Sequence, residues 1–183
     1  HEVEAFKYFV GDGMPKMVER ALPEDSRDVD TIGRVLKLLR EYYSEHFADF
    51  TTAYDGVPKL ITELKKRGLI VAVVTNKAQD MAEIVVEKFY GKIFDGVFGM
   101  REGIPGKPDP TMALLAMKDL GVTPEECVFI GDSGMEVATG VNSGALPVGE
   151  LWGFRGEEEL RANGARYIIS RPEELLKVIE ENA

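Results

Sequence analysis

Leu69-Ile70-Val71-Ala72-Val73-Val74-Thr75-Asn76-Lys77 decides the fold: six apolar residues run unbroken, then three polar ones follow at once. A strand that is apolar at every position and rich in valine is one covered on both faces, as in parallel sheets. Before it, residues 57–67 have helical spacing and Gly68 stops them. After it, residues 79–90 are helical again. The alternation then continues: strand 94–98, helix 111–120, strand 128–130, helix 137–142, strand 145–148, helix 157–163, strand 167–169. Ser170-Arg171-Pro172-Glu173 reads as a capping box with proline at the first helical position, opening a last helix. Strand and helix in regular alternation predict an α/β fold with a doubly wound parallel sheet.

Upstream the period changes. Val3, Phe6, Phe9 and Val10 have helical spacing, and Gly11-Asp12-Gly13 makes a turn. A short helix at 15–22 and a connector at 23–26 follow. Ile32, Val35, Leu36, Leu39, Tyr42, Tyr43, Phe47 and Phe50 then recur as one stripe of a long amphipathic helix. Asp28-Val29-Asp30-Thr31 reads as its N-terminal cap, with acids placed favourably for the helix dipole. The expected division is therefore a helical unit at 1–53 and an α/β core at 54–183, with Gly56 and Pro58 suited to a hinge.

The bulk numbers narrow the function. A chain of 183 residues, 44% hydrophobic and 30% charged, has the balance of a globular protein with one good core and a small appendage. No apolar run approaches the roughly 20 residues of a membrane span. A net charge of −10 argues against nucleic acid as partner, and an anionic substrate would need a cation recruited locally. Cys127 is the single cysteine, so no disulfide forms within the chain. With no signal peptide visible, a cytoplasmic location is expected. Two histidines make a histidine-based zinc site a poor prospect. The chain opens on His1-Glu2-Val3, without methionine.

In open parallel sheets ligands bind beyond the carboxyl ends of the strands. After the first core strand come Thr75 and Asn76, able to hold a phosphate oxygen or simply to cap a helix. After the second comes Gly106-Lys107-Pro108-Asp109-Pro110, where prolines restrict the backbone around one lysine. That lysine can neutralise phosphate, or sit exposed in a turn. After the third comes Gly131-Asp132-Ser133-Gly134-Met135-Glu136, with Asp132 at the strand end and Glu136 one helical turn on. Such oxygen donors suit Mg²⁺; an Asp cap is the local alternative. Their order on successive strands, with steps of 32 (75 to 107) and 25 (107 to 132), favours one shared site over three unrelated caps.

These three motifs resemble the second, third and fourth motifs of the haloacid dehalogenase superfamily, particularly its phosphoglycolate phosphatase-like members. The segment from Phe9 to Gly13, with Val18-Glu19-Arg20-Ala21-Leu22, resembles the mobile cap of that group. The resemblance implies a Rossmann-like core with a small helical cap, and a Mg²⁺-dependent phosphatase acting on a small phosphorylated metabolite. It implies that Thr75, Lys107 and Asp132 are catalytic, that Thr75, Asn76 and Lys107 bind phosphate, and that Gly11, Asp12 and Gly13 close over substrate. It gives Asp132 to the metal directly, and Glu136 to it through a water. Neither a membrane nor a nucleic acid is an expected partner, and monomer and homodimer are both left open. The family's first motif, Asp-x-Asp-Gly-Thr on a central strand, is not among these residues, so the nucleophile is expected outside the given chain. Without that strand, 69–74 and 128–130 are expected to lose a shared neighbour. The competing expectations are a phospho-ligand binding module without turnover, and a phosphatase or phosphomutase for a sugar phosphate, nucleotide or pyrophosphate. A generic nucleotide-binding protein is weaker, because no Gly-x-Gly-x-x-Gly and no Gly-Lys-Ser/Thr loop occurs.

Overall fold

The computed structural model describes residues 1–182. A 3₁₀ turn, Val3–Ala5, leads into α1 (Phe6–Phe9), and glycines with positive φ at 11 and 13 turn the chain into α2 (Met14–Ala21). The long amphipathic stripe forms α3 (Val29–His46), and the Asp28 carboxylate accepts from the Thr31 N–H at 2.9 Å, as an N-cap does. Val18 of α2 is the buried residue of this unit, whereas the stripe residues Tyr42 of α3 and Phe50 beyond it stay exposed. The stripe therefore forms its helix but is only partly covered.

Next come α4 (Val57–Lys66), β1 (Ala72–Ala78), α5 (Gln79–Tyr90), β2 (Gly96–Met100) and α6 (Thr111–Leu120). They are followed by β3 (Val128–Gly131), α7 (Gly134–Ser143), β4 (Leu146–Glu150), α8 (Glu157–Ala162), β5 (Tyr167–Ile169) and α9 (Glu174–Asn182). All ladders are parallel, as the valine-rich runs predict. Leu60 and Leu64 of α4 and Leu175 and Val178 of α9 pack with Val148 and Ile169 in one core cluster. Met112 and Ala116 of α6 pack on Phe98, and Ala113 and Met117 on Ala145.

Three details depart from the sequence reading. First, β1 is displaced toward the C-terminus, so Thr75, Asn76 and Lys77 lie inside the strand rather than beyond it. The ladder with β2 skips from Val74↔Phe98 to Ala78↔Met100, and this irregularity lets polar residues continue a strand that apolar ones began. Second, α9 begins at Glu174, whose carboxylate accepts from the Ser170 N–H at 2.8 Å. The cap acid is therefore Glu174 and not Glu173, because Pro172 and Glu173 fall in the preceding turn. Third, the strands form two sheets, β1-β2 and β3-β4-β5. Among the described residues no ladder joins β1 to β3. Leu69, Val71, Val128 and Ile130 nonetheless pack against one common apolar cluster.

Candidate active site

The carboxyl ends of the strands meet the N-terminal helices around a crevice of about 510 Å³. Gly11, Asp12 and Arg20 line it from one side, and Asp132, Ser133 and Glu136 from the other. A larger hollow, about 620 Å³, lies beside Cys127 and Pro147 at the opposite ends of β3 and β4. Ligands of parallel sheets collect at the carboxyl ends, so the smaller crevice is the one to weigh.

Lys107 and Glu136 form the most buried ion pair among the described residues. Their Nζ–Oε1 distance is 2.6 Å and the side chains are only 7% and 16% exposed. Nζ also donates to the Val74 carbonyl at 3.3 Å, which carries the lysine to the residue next to Thr75, within β1. The Ser133 hydroxyl donates to the other carboxylate oxygen of Glu136. Burial by itself would raise the Glu136 carboxyl. The Lys107 charge and the hydrogen bonds from Lys107 and Ser133 outweigh it and hold the group below its ordinary range. Glu136 is thus engaged with Lys107 and Ser133, where the sequence reading set it toward a metal.

Asp132 occupies the end of β3 and accepts from the Phe154 N–H at 2.9 Å. Among the described residues it forms no ion pair. Its neighbour across the ladder is Glu150, since Gly131 pairs with Gly149. Glu150 is 7% exposed and accepts from the Trp152 N–H at 3.3 Å. Its carboxyl is pushed up to about 8, first by burial and then by the charge of Asp132. The Tyr54 hydroxyl is raised as well, by burial and then by these same two acids. Sequence reasoning missed Glu150 because the apolar run was closed at Val148. A single acid ending the strand Leu146–Glu150 is the signal that could have found it.

Asn76 is buried and fully engaged inside the protein. Its Nδ2 donates to the Gly11 carbonyl at 2.9 Å and the Lys107 carbonyl at 3.3 Å, while Oδ1 accepts from the Lys107 N–H at 2.8 Å. The sequence reading set it toward substrate; its side chain instead ties two loops together. Thr75 Oγ1 accepts from the Lys77 N–H at 3.2 Å. Gly11 and Asp12 line the crevice, and the Asp12 carboxylate is 2.5 Å from an Arg20 Nη. Arg20 also donates to the Phe9 carbonyl at 3.1 Å, so the turn at 11–13 is held from within its own unit.

Two glycines test this packing with opposite signs. A Cβ at Gly131 would run into Cβ and Cγ of Glu136. Gly131→Ala is therefore expected to cost about 2–3 kcal/mol and to lower the thermal midpoint by roughly 5–10 °C. At Gly33, inside α3, such a Cβ would meet nothing within 4 Å beyond its own stretch of helix backbone. Gly33→Ala is expected to raise stability by about 0.5–1 kcal/mol. Thermal unfolding of the two variants side by side checks both.

This geometry is the background to a match over residues 1–144 with the family of haloacid dehalogenase-like hydrolases. The chain belongs to the haloacid dehalogenase-like hydrolase family. It is 34% identical over 140 residues to the N-acetylmuramic acid 6-phosphate phosphatase of Pseudomonas aeruginosa, covering 75% of this chain and 62% of that protein. It is 25% identical over 175 residues to the phosphoglycolate phosphatase of Aquifex aeolicus, covering 95% of this chain and 78% of the relative. A crystal structure described as a candidate phosphoglycolate phosphatase, from Lactobacillus delbrueckii subsp. bulgaricus, superposes with a TM-score of 0.90 at 31% identity. That superposition covers 98% of this chain and 83% of the other. As a member of the haloacid dehalogenase-like family, the chain has its α/β fold with parallel sheets in common with these relatives. It spans less than two thirds of the length of the Pseudomonas phosphatase.

Proposed function

We propose that the protein is a Mg²⁺-dependent phosphatase that hydrolyses a small phosphomonoester, phosphoglycolate-like esters being the leading candidates. The observation that carries this reading is the buried Lys107–Glu136 pair beside Asp132, at the strand ends and under a crevice shared with the N-terminal helices. The relatives named above act on phosphoglycolate and on a sugar phosphate, so the class of substrate is common to them.

In this reading Thr75 and Lys107 hold the phosphate, and the turn at Gly11, Asp12 and Gly13 belongs to a cap, residues 1–53, that closes over it. Lys107 is held by Glu136 and the Val74 carbonyl, so its charge faces the phosphate without reorganisation at the moment of reaction. Closure of the cap excludes water and strengthens each of these interactions.

The donors available suit magnesium. Asp132 is an acid at the strand end that Lys107 leaves unpaired, and a second buried acid, Glu150, lies beside it. Mg²⁺ needs only one or two carboxylates, filling the rest of its shell with water and phosphate oxygens. Asp132 would hold it, and Glu136 supports Lys107 in place of a metal contact. When bound, the ion would supply neutralisation of the phosphate oxygens.

The nucleophile in this reading is an aspartate on a strand outside residues 1–183, entering between β1 and β3. The separation of the two sheets there, with both flanking strands packed on one apolar cluster, supports that position. The test is phosphate release by the full-length protein from phosphoglycolate, sugar phosphates, nucleotides and pyrophosphate, with and without EDTA. Release that requires Mg²⁺, fastest with one small monoester, is the expected result. A folded full-length protein that releases no phosphate, or releases it equally in EDTA, would overturn the proposal.

A further inference from the structure

We infer that Asn76 is a positioning residue that joins cap docking and the placement of Lys107 into a single hydrogen-bonded event. The inference rests on the phosphatase reading above, because it assigns Lys107 to the phosphate.

The argument starts from the two ends of one amide. Oδ1 accepts from the Lys107 N–H at 2.8 Å. Nδ2 donates to the Gly11 carbonyl at 2.9 Å and to the Lys107 carbonyl at 3.3 Å. Only this orientation of the amide satisfies one donor and two acceptors; the flipped one would set Oδ1 against two carbonyls. Asn76 is 7% exposed, so the partners cannot be exchanged for water at little cost. Gly106 permits the approach: a Cβ there would stand 3.1 Å from Oδ1. The Met135 sulfur, 3.2 Å from Nδ2, closes the remaining side from the first turn of α7.

One side chain thus holds the main chain of Lys107 and, across the crevice, the main chain of the turn at Gly11. When the cap lifts, Nδ2 loses the Gly11 carbonyl, and of its two N–H groups only the one toward the Lys107 carbonyl keeps an oxygen acceptor. The amide then rotates or draws in water, and either motion acts on the Lys107 backbone it also holds. Lys107 is therefore in its working position when the cap is down. Two further contacts cross the same boundary: Arg155 donates to the Lys7 carbonyl at 2.7 Å and Lys77 to the Tyr43 hydroxyl at 2.9 Å. Neither touches Lys107, so Asn76 alone among these three links docking to the lysine.

The experiment is amide hydrogen exchange read by mass spectrometry on the full-length protein, with inorganic phosphate and Mg²⁺ as the probe. In the wild type, phosphate is expected to slow exchange in segments 9–14 and 104–109 over the same concentration range. Asn76→Asp keeps the shape but turns Nδ2 into an oxygen facing two carbonyls. In that variant phosphate is expected to slow 104–109 alone, and kcat to fall tenfold or more with KM changing less than threefold. If phosphate in the wild type slows 104–109 but not 9–14, or if Asn76→Asp leaves both segments coupled, the inference is wrong while the phosphate site stands. If neither segment of the wild type responds, the site reading falls and the inference with it. The wild-type measurement decides even where Asn76→Asp does not fold.

Discussion

Lys107→Ala in the full-length enzyme is expected to lower kcat/KM by about 10³-fold, the order of loss when a fixed charge or donor aimed at a transition state is removed. Stability should fall with it. Glu136 would be left buried without its cation, and breaking one side of such a pair costs about 3–5 kcal/mol. The two effects can be separated. Adding Glu136→Gln to a Lys107→Met background removes the orphaned charge, so the double variant is expected to regain most of the thermal midpoint and none of the activity. A Lys107→Ala enzyme with near-normal turnover would remove Lys107 from the chemistry. The acid behaviour follows from the same pair. The Glu136 carboxyl is depressed in the folded state relative to its ordinary value of 4.5. Its contribution to stability is then present above that value and is lost as pH falls through the folded one. The stability gap between wild type and Lys107→Met should therefore widen from acid toward neutral pH, which urea titrations at several pH values can follow.

The second large effect concerns Glu150, and its sign is opposite. Its folded value of about 8 lies above the ordinary 4.5. The associated stability is fully present below pH 4.5 and is lost as pH rises toward 8. The buried group resists ionising while the unfolded chain ionises freely. At pH 7 in metal-free buffer this amounts to a loss on the order of 3 kcal/mol, at about 1.36 kcal/mol for each unit of pH above the ordinary value. Glu150→Gln removes the titration and keeps the shape. The variant is expected to match the wild type near pH 4 and to exceed it at pH 7 by roughly 6–12 °C in thermal midpoint. A wild-type midpoint that does not decline relative to the variant between those two pH values would show that Glu150 is not held neutral by its surroundings.

Much of this was legible in the sequence, and what could not be read from it has a common physical origin. The helix and strand order could be read from periodicity, because burial on two faces leaves an apolar run and burial on one leaves a stripe. The Asp28 cap was readable because it is local: a side chain and an N–H three residues apart. The residues around the site were also readable, because each follows an apolar run. Their partners were not. Glu136 bonds across 29 residues to Lys107, and Asn76 across 65 to Gly11. Nothing in the local pattern distinguishes an acid that faces a metal from one that faces a lysine. Nor does it separate an amide that faces substrate from one that faces a carbonyl. The displaced β1 has the same origin. Thr75 and Asn76 are polar, so a strand defined by apolarity stops before them, whereas the ladder resumes at Ala78 because β2 still lies alongside. Glu150 was lost for the converse reason, as an acid within a strand.

The contacts of Arg155 and Asn76 with the N-terminal unit end on the carbonyls of Lys7 and Gly11. A carbonyl belongs to every amino acid. The hydrogen bond to the Lys7 carbonyl therefore places little demand on the side chain at that position, whereas the positive φ of Gly11 and the Tyr43 hydroxyl that Lys77 reaches do restrict the N-terminal unit. At Lys7, substitution can therefore alter the inner surface of the N-terminal unit while this hydrogen bond persists. The core thus holds the N-terminal unit partly through groups that do not depend on side-chain identity.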